Sequence, residues 1–521
     1  MNQNMNTNYT FFSKILIVIV ALFSMNGAQA QNGSLDLTFD SDGKVTTHAA
    51  SKEAEAQSIL LQKDGKIIVA GYRGAPENDM VLVRYNENGS LDKSFDTDGI
   101  VTTAISGSNV RAYSVALQKD GKILAAGSSS IGVTEVMILV RYNINGSLDT
   151  SFNHTGILTS AIGAVFTEVY AIAIQKDGKI VVTGGVSNDA IDFNIAVIRF
   201  NSDGTLDNTF DVDGIVVTDL GSLYDFANSL VIQDDGKIVV TAYNKTQATR
   251  GLMVIVRYNS DGSLDNTFDQ DGKLYTIIVN SSARTNSMVL QSDQKLVLGA
   301  ATDNGNGLGY VLARYNTDGS VDTTFDLDGY VFSSSFGSFI ELAYTVALQS
   351  DEKILVTGYR SDASGQNFMI KRYHKDGSID DSFGQDGKVI TDFGNADDEA
   401  KAIALQSDDK IIVAGISFNA GVTDFAIARY NNMITSTKKV ADKKIQFSVF
   451  PNPTSKYLNV SLDNDDHFNF EIINAVGVVV MKGKYQNKID ISSLTDGIYF
   501  INLEQGRHQT IKKFIKYGNR F

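Results

Sequence analysis

The chain of 521 residues is too long for one small hydrophobic core, so its length predicts two or more domains. Hydrophobic residues make up 43%, which is enough for packed domains and too much for a disordered chain. The chain has no cysteine, which excludes disulfides, thiolate metal sites, cysteine nucleophiles and a lipid-modified amino-terminal cysteine.

The first 30 residues have the pattern of a secretory signal peptide. Lys14 precedes an apolar run at residues 15–23, which is too short to span a bilayer, and Ala28-Gln29-Ala30 has the small-x-small form of a cleavage site. The alternative is a buried amino-terminal strand. Cleavage is favoured because repeats begin immediately afterwards. No later stretch is apolar enough to cross a membrane as a helix, so we expect the protein to function outside the cytoplasm.

Seven repeats follow, and three residue markers count them independently. An arginine followed by an aromatic residue recurs every 57 or 58 residues. A phenylalanine, and a lysine that opens an apolar run, recur in step with it. The arginines are Arg84, Arg141, Arg199, Arg257, Arg314, Arg372 and Arg429. The phenylalanines are Phe39, Phe95, Phe152, Phe210, Phe268, Phe325 and Phe383, and the lysines are Lys66, Lys122, Lys179, Lys237, Lys295, Lys353 and Lys410.

Each repeat contains four short runs with the composition of β-strands. In the first complete repeat these strands, A to D, fall at residues 57–62, 66–71, 80–85 and 99–103. Asp64-Gly65 between A and B is typical of a two-residue hairpin. The last three repeats have Gln294, Glu352 and Asp409 in place of this glycine. No segment has a helical period over ten residues.

Four antiparallel strands repeated seven times predict an all-β fold, a seven-bladed β-propeller. A straight solenoid would need atypical caps at its ends. The ends of the repeat region instead complement each other, because a lone D strand precedes the first repeat and the last repeat stops after its C strand. We therefore predict that residues 44–47 pair with residues 425–430 and close the ring. Closure removes two exposed sheet edges.

Three segments characterise the repeat: Tyr85-Asn-Glu-Asn-Gly-Ser-Leu-Asp92, Phe95-Asp-Thr-Asp-Gly99 and Leu117-Gln-Lys-Asp-Gly-Lys-Ile123. These segments resemble the bacterial delta-60 repeat family, a propeller-like repeat. The resemblance covers residues 32–431 and recurs seven times in register. It implies the fold and no single activity.

A second β-rich unit follows the repeats. Residues 438–521 contain 13 Lys and Arg against 8 Asp and Glu, whereas the chain between the signal segment and residue 438 has a net charge of −21. The acidic body argues against nucleic acid as a partner. Runs at residues 447–454, 470–474, 477–481, 489–494, 497–503 and 509–516 predict a small β-sandwich. The predicted boundaries are 1–30 for the signal peptide, 31–431 for the propeller, 432–444 for a linker and 445–521 for the last domain.

Four motifs mark the last domain: Phe450-Pro-Asn-Pro-Thr454, Asp490-Ile-Ser-Ser-Leu494, Gly497-Ile-Tyr499 and Lys512-Lys-Phe-Ile-Lys516. They resemble the type A sorting domain of the type IX secretion system of Bacteroidota. The resemblance implies recognition by the secretion machinery at the outer membrane, usually followed by cleavage, with the mature protein released or attached to the cell surface. The implied sorting residues are Pro451, Asn452, Pro453, Gly497, Tyr499, Lys512, Lys513 and Lys516. The alternative is an ordinary appended sandwich that binds carbohydrate.

The sequence offers no catalytic motif. Its five histidines are scattered, and it has no glycine-rich phosphate loop or nucleophile elbow. Pairs of carboxylates for glycoside cleavage are recognised only by their separation in space. The sevenfold arginines are predicted to pair with a carboxylate of their own repeat, Asp92 and its equivalents, rather than to bind anions. We predict no catalytic residue and no cofactor.

Asp-x-Asp-Gly turns are the best metal candidates, because calcium prefers several oxygen ligands. The pairs are Asp40/Asp42, Asp96/Asp98, Asp211/Asp213, Asp269/Asp271 and Asp326/Asp328. Two repeats break the pattern, with Asn153-His154-Thr155 and Gly384-Gln385-Asp386, and the long calcium loop with a terminal glutamate is missing. Tight turns explain these residues without a metal. We therefore predict no resident metal, with calcium as the alternative.

The loops differ between the two faces of the predicted disc. The A–B and C–D turns are nearly constant among repeats and share one face, whereas the B–C and D–A loops vary and share the other. Loops on a rigid scaffold commonly form binding sites. The alternative is that these loops vary because their surface has no function. The candidate ligand-binding residues on the variable face are Tyr72, Arg73, Arg111, Tyr113, Tyr224, Tyr243, Arg250, Tyr359 and Arg360.

Two classes of function follow from these observations. The favoured one is a secreted or outer-membrane surface module that binds an extracellular glycan or protein without catalysis. The alternative is a hydrolase or lyase of extracellular polysaccharide, and a purely structural envelope component is a third reading. Carboxylates or histidines in the central channel on the variable face would favour an enzyme, whereas small or apolar residues there would favour binding.

Overall fold

The structure is a computed structural model that describes residues 32–49, 53–74, 78–132, 134–162, 165–245, 251–278, 281–303, 307–333, 339–363, 365–394, 397–419, 421–432, 447–462, 469–475, 477–484, 487–505 and 508–518. Every regular element within these ranges is a β-strand. None of the described segments forms a helix long and apolar enough to cross a membrane. The predicted signal peptide, residues 1–30, and residues 433–444 of the predicted linker lie outside the described residues.

Each repeat folds into a four-stranded antiparallel sheet, or blade, whose strands follow chain order from the centre of the ring outward. In blades 1 to 7 the innermost strands are β2 (Glu53–Leu61), β6 (Ser108–Leu117), β10 (Phe166–Ile174), β14 (Tyr224–Ile232), β18 (Ser282–Leu290), β22 (Ile340–Leu348) and β26 (Asp398–Leu405). The second strands are β3 (Ile67–Gly74), β7 (Ile123–Ile131), β11 (Ile180–Ser187), β15 (Ile238–Lys245), β19 (Leu296–Asp303), β23 (Ile354–Asp362) and β27 (Ile411–Asn419). The third strands are β4 (Asp79–Tyr85), β8 (Thr134–Tyr142), β12 (Asn194–Phe200), β16 (Leu252–Tyr258), β20 (Leu308–Tyr315), β24 (Gly365–Tyr373) and β28 (Val422–Tyr430). The outer strands are β5 (Ile100–Thr103), β9 (Ile157–Ser160), β13 (Ile215–Thr218), β17 (Lys273–Thr276), β21 (Tyr330–Phe332), β25 (Lys388–Thr391) and, in blade 7, β1 (Lys44–Thr47).

The amino-terminal strand closes the ring, as the sequence predicts. β1 pairs antiparallel with β28, from Lys44 opposite Ala428 to Thr47 opposite Phe425. The innermost strand of each blade contacts that of the next blade, and β26 of blade 7 contacts β2 of blade 1. Every blade therefore has four strands, although the repeat region begins and ends within the same blade.

The hairpin between the first two strands is a three-residue loop, and the predicted two-residue loop is wrong. In blade 1 the amide of Gln62 donates to the carbonyl of Lys66 at 2.8 Å, and the amide of Gly65 donates to the carbonyl of Gln62 at 3.0 Å. Gly65 has a φ of +82°, the left-handed conformation that closes such a loop. The residues that replace this glycine keep the same conformation, with φ of 66°, 65° and 64°, and they are Gln294, Glu352 and Asp409.

The hydrophobic core lies between neighbouring blades. The second and third strands are buried on both faces, so they consist of nearly continuous apolar residues. In blade 1, Ile67 and Val69 pack toward blade 7, whereas Ile68 and Ala70 pack toward blade 2. The two faces of each blade therefore contribute to two hydrophobic cores, one with each neighbouring blade.

The three repeat markers meet in one buried cluster per blade, which we call the arginine staple. In blade 4, Arg257 Nε donates to Asp265 at 2.7 Å, and the guanidinium lies 4.6 Å from the ring centroid of Phe268. Lys237 Nζ lies 3.2 Å from the same carboxylate. Arg257 Nη1 donates to the carbonyl of Thr317 in blade 5 at 2.5 Å, which joins the two blades. The predicted pairing of each arginine with an aspartate is confirmed in all seven blades, at 2.6 to 2.8 Å.

The staple aspartates are stronger acids than free aspartate. Burial by itself raises the pKa of Asp207, but hydrogen bonds from Lys179 and Thr209 outweigh it and hold the pKa well below its ordinary value. The pKa is lowered in the same way, against burial, at Asp36, Asp92, Asp149, Asp265, Asp322 and Asp380. A carboxyl with a lower pKa in the folded than in the unfolded chain stabilises the fold above the unfolded value, about 3.9, and loses that effect as the pH falls through the folded value.

We therefore expect acid to destabilise the propeller. The midpoint of urea unfolding should fall steadily as the pH is lowered from about 5 to about 3, because protons bind the unfolded chain first. Far-ultraviolet circular dichroism of the full-length protein would follow the transition. An Asp207→Asn variant should begin with a lower midpoint and show a shallower pH dependence than the parent protein. An unchanged midpoint across this pH range would contradict the expectation.

The residues after 446 form a second unit of two sheets, in agreement with the predicted sandwich. One sheet has the order β29-β30-β33 and the other β32-β31-β34-β35. The strands are β29 (Phe447–Phe450), β30 (Tyr457–Leu462), β31 (Asn469–Asn474), β32 (Val479–Lys484), β33 (Lys488–Asp490), β34 (Gly497–Gln505) and β35 (His508–Lys516). Leu458 and Val460 of β30 point into the core beside Ile472 and Phe514. β30 is the strand that the sequence pattern does not predict.

Candidate functional site at the channel mouth

The innermost strands line the central channel, and each carries one extra residue. The register between innermost and second strands shifts at the same position in all seven blades. Such a β-bulge redirects a side chain and breaks the regular alternation. The bulged residues form the set that we call the bulge ring: Gln57, Tyr113, Tyr170, Asn228, Asn286, Tyr344 and Lys401.

A second set of side chains precedes the bulge ring by two residues in each blade. Because each innermost strand starts from a variable D–A loop, this upper ring lies nearer to the variable face. Its members are Glu55, Arg111, Glu168, Phe226, Arg284, Leu342 and Glu399. The two rings together place carboxylates, cations and aromatic side chains along the channel, with Phe226 and Leu342 as the apolar members of the upper ring.

Each glutamate of the upper ring accepts a hydrogen bond from a bulge-ring side chain. The donor–acceptor pairs are Gln57 to Glu55 at 3.1 Å, Tyr170 to Glu168, and Tyr344 to Glu399 at 2.9 Å. Burial, together with the charge of Glu135, raises the pKa of Glu168 against the opposing hydrogen bond. All three carboxyl groups of the upper ring therefore accept hydrogen bonds from side chains of the bulge ring.

Five aromatic side chains form a cluster on the variable face between blades 3 and 4. Phe193 contacts Phe166 edge to face, with ring centroids 4.9 Å apart, and stacks on Tyr224 at 5.9 Å. Phe226 packs 4.9 Å from Phe193, and Tyr170 lies 6.4 Å from Phe226. Tyr224 keeps 45% of its surface exposed, so the cluster ends in a ring that solvent reaches.

Two glycines make room for rings at this surface. A Cβ on Gly185 would lie 2.4 Å from the ring of Phe226, and a Cβ on Gly251 would lie 2.2 Å from the ring of Tyr243. Both distances are far shorter than van der Waals contact, so a larger residue would displace the ring. Each glycine therefore allows a close approach that holds an aromatic side chain in place.

A cavity of about 360 Å³ lies beside this cluster, lined by Tyr170, Tyr224, Phe226, Tyr243, Lys245 and Arg284. The guanidinium of Arg284 lies 5.9 Å from the ring centroid of Tyr243. Arg284 and Lys245 are exposed, and neither has an ion-pair partner among the described residues. Two unpaired cations thus lie beside four aromatic rings in a propeller whose remaining charge is strongly negative.

Two of the nine predicted binding residues, Tyr224 and Tyr243, line this cavity. Three others form a group between blades 1 and 2. The guanidinium of Arg111 lies 5.3 Å from the ring centroid of Tyr72, and the ring of Tyr113 lies 5.2 Å from Tyr170. This second group therefore continues the aromatic lining from the cavity along the channel.

The remaining predicted binding residues do not join these groups. Arg73 forms an ion pair within blade 1, and Arg360 lies 4.3 Å from an aromatic ring of blade 6. Tyr359 is only 8% exposed, contrary to the exposure expected for a contact residue. Arg250 lies outside the described residues.

Sequence reasoning misses four cavity residues: Tyr170, Phe226, Lys245 and Arg284. The apolar pattern starts the first innermost strand at residue 57, whereas β2 begins at Glu53, because the bulge interrupts the alternation. The second strands also run farther than predicted, so Tyr243 lies in β15 rather than in a loop. A comparison of the residue two positions before the bulge in each of the seven repeats would identify Phe226 and Arg284.

The second aspartate of each Asp-x-Asp-Gly turn accepts a backbone amide of its own turn. In blade 1, Asp98 accepts the amide of Ile100 at 2.8 Å, while Asp96 and Thr97 have φ of +47° and +68°. Within the described part of the chain, no three His, Cys, Asp or Glu side chains gather closely enough to hold a metal ion.

The Pro-Asn-Pro segment predicted for sorting contacts the last strand. Asn452, between Pro451 and Pro453, accepts the amide of Ile515 at 2.8 Å. The amide of Thr454 donates to the carbonyl of the same isoleucine at 2.8 Å. The segment therefore fixes the end of β35, although it lies far from it in sequence.

The other predicted sorting residues lie on β34 and β35. Gly497 is opposite Lys516 in this pair of strands, and the Tyr499 ring stacks on Phe514 with centroids 5.7 Å apart. Lys512 and Lys513 are also on β35. The structure thus brings all the predicted sorting residues to one end of the sandwich.

Two family models match these units. A domain of unknown function (DUF5122) with β-propeller structure matches residues 62–95, 118–152, 175–210, 233–268, 291–325, 349–383 and 406–433. A secretion system C-terminal sorting domain matches residues 448–517. The chain is an exported β-propeller protein. The sorting domain indicates that the type IX secretion system exports this β-propeller protein to the cell surface or the extracellular space, and implies contact with that machinery.

Solved structures similar to this β-propeller protein include polysaccharide lyase Uly1, with 11% identity, a TM-score of 0.43, and coverage of 72% of this chain and 90% of that chain. The extracellular domains of Drosophila semaphorin 1b match with 9% identity, a TM-score of 0.41, and coverage of 80% and 96%. The β-propeller domain of the trilobed protease from Pyrococcus furiosus matches with 10% identity, a TM-score of 0.34, and coverage of 72% and 95%. A search of curated proteins finds no match. Similarity at this level does not identify a ligand.

Proposed function

We propose that the exported propeller binds an anionic glycan at the channel mouth. The observation that carries this proposal is the pair of exposed cations, Arg284 and Lys245, which lack ion-pair partners among the described residues and lie beside four aromatic rings in one cavity. Aromatic rings suit the apolar faces of sugar rings, and a guanidinium suits a carboxylate or sulfate group. The combination therefore favours a glycan that carries acidic groups.

The charge of the rest of the protein supports the choice of this surface. The chain has a net charge of −15, so most of the surface repels a polyanion. An acidic glycan would gain electrostatic attraction only where cations are free. The staple arginines are buried and paired, whereas Arg284 and Lys245 are exposed and lack ion-pair partners among the described residues.

Replacing Arg284 with glutamine should weaken binding of the acidic glycan roughly ten- to hundredfold, because a hydrogen bond to a charged group contributes about 1.5–3 kcal/mol. Titration calorimetry of the full-length protein with uronic-acid, sulfated and neutral oligosaccharides would measure the affinities. Lys93→Gln is the matched control, because it removes one exposed positive charge between the third and outer strands of blade 1, on the opposite face.

Two results would contradict the proposal. Equal affinity for neutral and acidic oligosaccharides would show that the cations do not select the ligand. Equal losses in the Arg284→Gln and Lys93→Gln variants would show that binding occurs elsewhere or follows net charge alone. If no glycan binds, the channel mouth would instead be tested with protein partners.

The charged channel supports a second candidate, a hydrolase or lyase of the same glycan. The observation that favours it is Glu168, whose raised pKa and contact with Tyr170 suit a proton donor or acceptor. Recovery of shortened glycan after incubation would establish cleavage, and a Glu168→Gln variant that binds without cleaving would assign the reaction to this site. Glycan recovered intact would support binding alone.

A further inference from the structure

Among the described residues, Lys513 of the sorting domain forms ion pairs and a hydrogen bond with the propeller. Lys513 of β35 places Nζ 2.9 Å from Asp328 Oδ1, 3.2 Å from Asp326 Oδ2 and 2.9 Å from the carbonyl oxygen of Tyr330. Its side chain is only 7% exposed. An ammonium group has three donors, so oxygens of blade 5 can satisfy all of them.

Other blades provide an internal comparison for this contact. Asp326 and Asp328 are half-buried, whereas the equivalent aspartates of four other turns are exposed. These exposed residues are Asp40, Asp42, Asp96, Asp98, Asp211, Asp213, Asp269 and Asp271. Since the turns share one sequence pattern, the added burial in blade 5 comes from the sorting domain rather than from the repeat.

We infer that the sorting domain docks on blade 5 of its own propeller, with the ammonium of Lys513 bound in the acidic turn formed by Asp326 and Asp328. The turn connects the third and outer strands and therefore lies on the face opposite the variable loops. A sorting domain held there leaves the channel mouth open while it is still attached. The docking contact is independent of the proposed glycan binding.

The physical basis of docking is a mostly buried charge pair. Burial raises the pKa of Asp326, and the Lys513 charge opposes that rise. Removing either charge leaves its partner desolvated without compensation, which weakens the contact by more than loss of an exposed ion pair would. The carbonyl of Tyr330 belongs to the outer strand β21, so docking also uses a group on the edge of the blade.

Hydrogen–deuterium exchange of the full-length protein tests this contact. In a Lys513→Gln variant, amides at residues 326–332 should exchange about tenfold faster or more, because the loss of a charge-assisted hydrogen bond opens the interface. The matching segment of blade 1, residues 96–102, should not change. Lys484→Gln is the control within the sorting domain, since Lys484 also lies on a strand but is exposed and forms no ion pair or hydrogen bond with the described residues of the propeller.

Asp328→Asn makes the test independent of the folding of the sorting domain, because it alters only the propeller. This variant should accelerate exchange at residues 326–332 as Lys513→Gln does, and the double variant should add little, as expected for residues that act as a pair. Unchanged exchange in both single variants would overturn the inference. Equal acceleration by Lys484→Gln would do so as well, since it would show a general effect of charge.

Discussion

Replacing Arg257 with leucine should lower the free energy of unfolding by about 3–5 kcal/mol, the effect of breaking a buried ion pair. The substitution removes the group that pairs with Asp265 at 2.7 Å and donates to Thr317 of the next blade. Asp265 is only 3% exposed, so its carboxylate would keep a charge that the single neighbouring Lys237 neutralises incompletely. Urea unfolding of the full-length protein, followed by circular dichroism, would measure the loss.

The matched control for this prediction is Lys237→Gln. Lys237 pairs with the same aspartate, but its side chain is 27% exposed, so the expected loss is about 1 kcal/mol or less. Equal losses in the two variants would mean that the arginine acts only as a second counter-charge. A much larger loss for Arg257→Leu would show that the buried geometry and the link between blades matter.

The second large effect is expected at a charge pair that, among the described residues of the seven blades, occurs only in blade 6. Lys371 occupies the core position next to Arg372, where the other blades have valine, isoleucine or alanine, and it forms a buried ion pair with Glu341. Replacing Lys371 with valine should lower the free energy of unfolding by about 3–5 kcal/mol, because Glu341 is 1% exposed and would lose its partner. Urea unfolding midpoints would measure the change.

A double variant distinguishes the interaction between the two charges from the separate effect of each substitution. Glu341→Ala combined with Lys371→Val reproduces the residues of blade 1, Ala54 and Val83, and should recover stability to the level of the parent protein or above it. The energy by which the two substitutions fail to add measures their coupling. A double variant as unstable as the sum of the single variants would show that the charges do not act as a pair.

Much of the propeller could be predicted because the same sequence pattern recurs in seven repeats. Arg84 and its six equivalents recur at nearly constant spacing and with the same neighbours, so the blade count does not depend on any single segment. Ring closure is predicted because the last repeat lacks its outer strand and a lone outer strand precedes the first repeat. The prediction of a two-residue hairpin loop is wrong because Asp64-Gly65 fits both a two-residue and a three-residue loop, and hydrogen bonding decides between them.

The candidate site could be predicted only in part. Tyr224 and Tyr243 stand out as aromatic residues at variable positions, but Arg284 looks like any other charged residue before an innermost strand. Its importance depends on the absence of an ion-pair partner among the described residues, which is a property of the folded structure. The resemblance to sorting motifs predicts a role for Lys513, but neither the sorting motif nor the repeat pattern predicts its contact with blade 5.

Ring closure by β1 sets the order of events as the chain is made. Asp36 pairs with Arg429, 393 residues later, and β1 cannot pair with β28 until the last repeat has been synthesised. Contacts between such distant residues slow folding, because a long loop must close before they form. The amino-terminal strand therefore has no partner strand until the last repeat is available, and an unpaired strand edge favours aggregation during that interval.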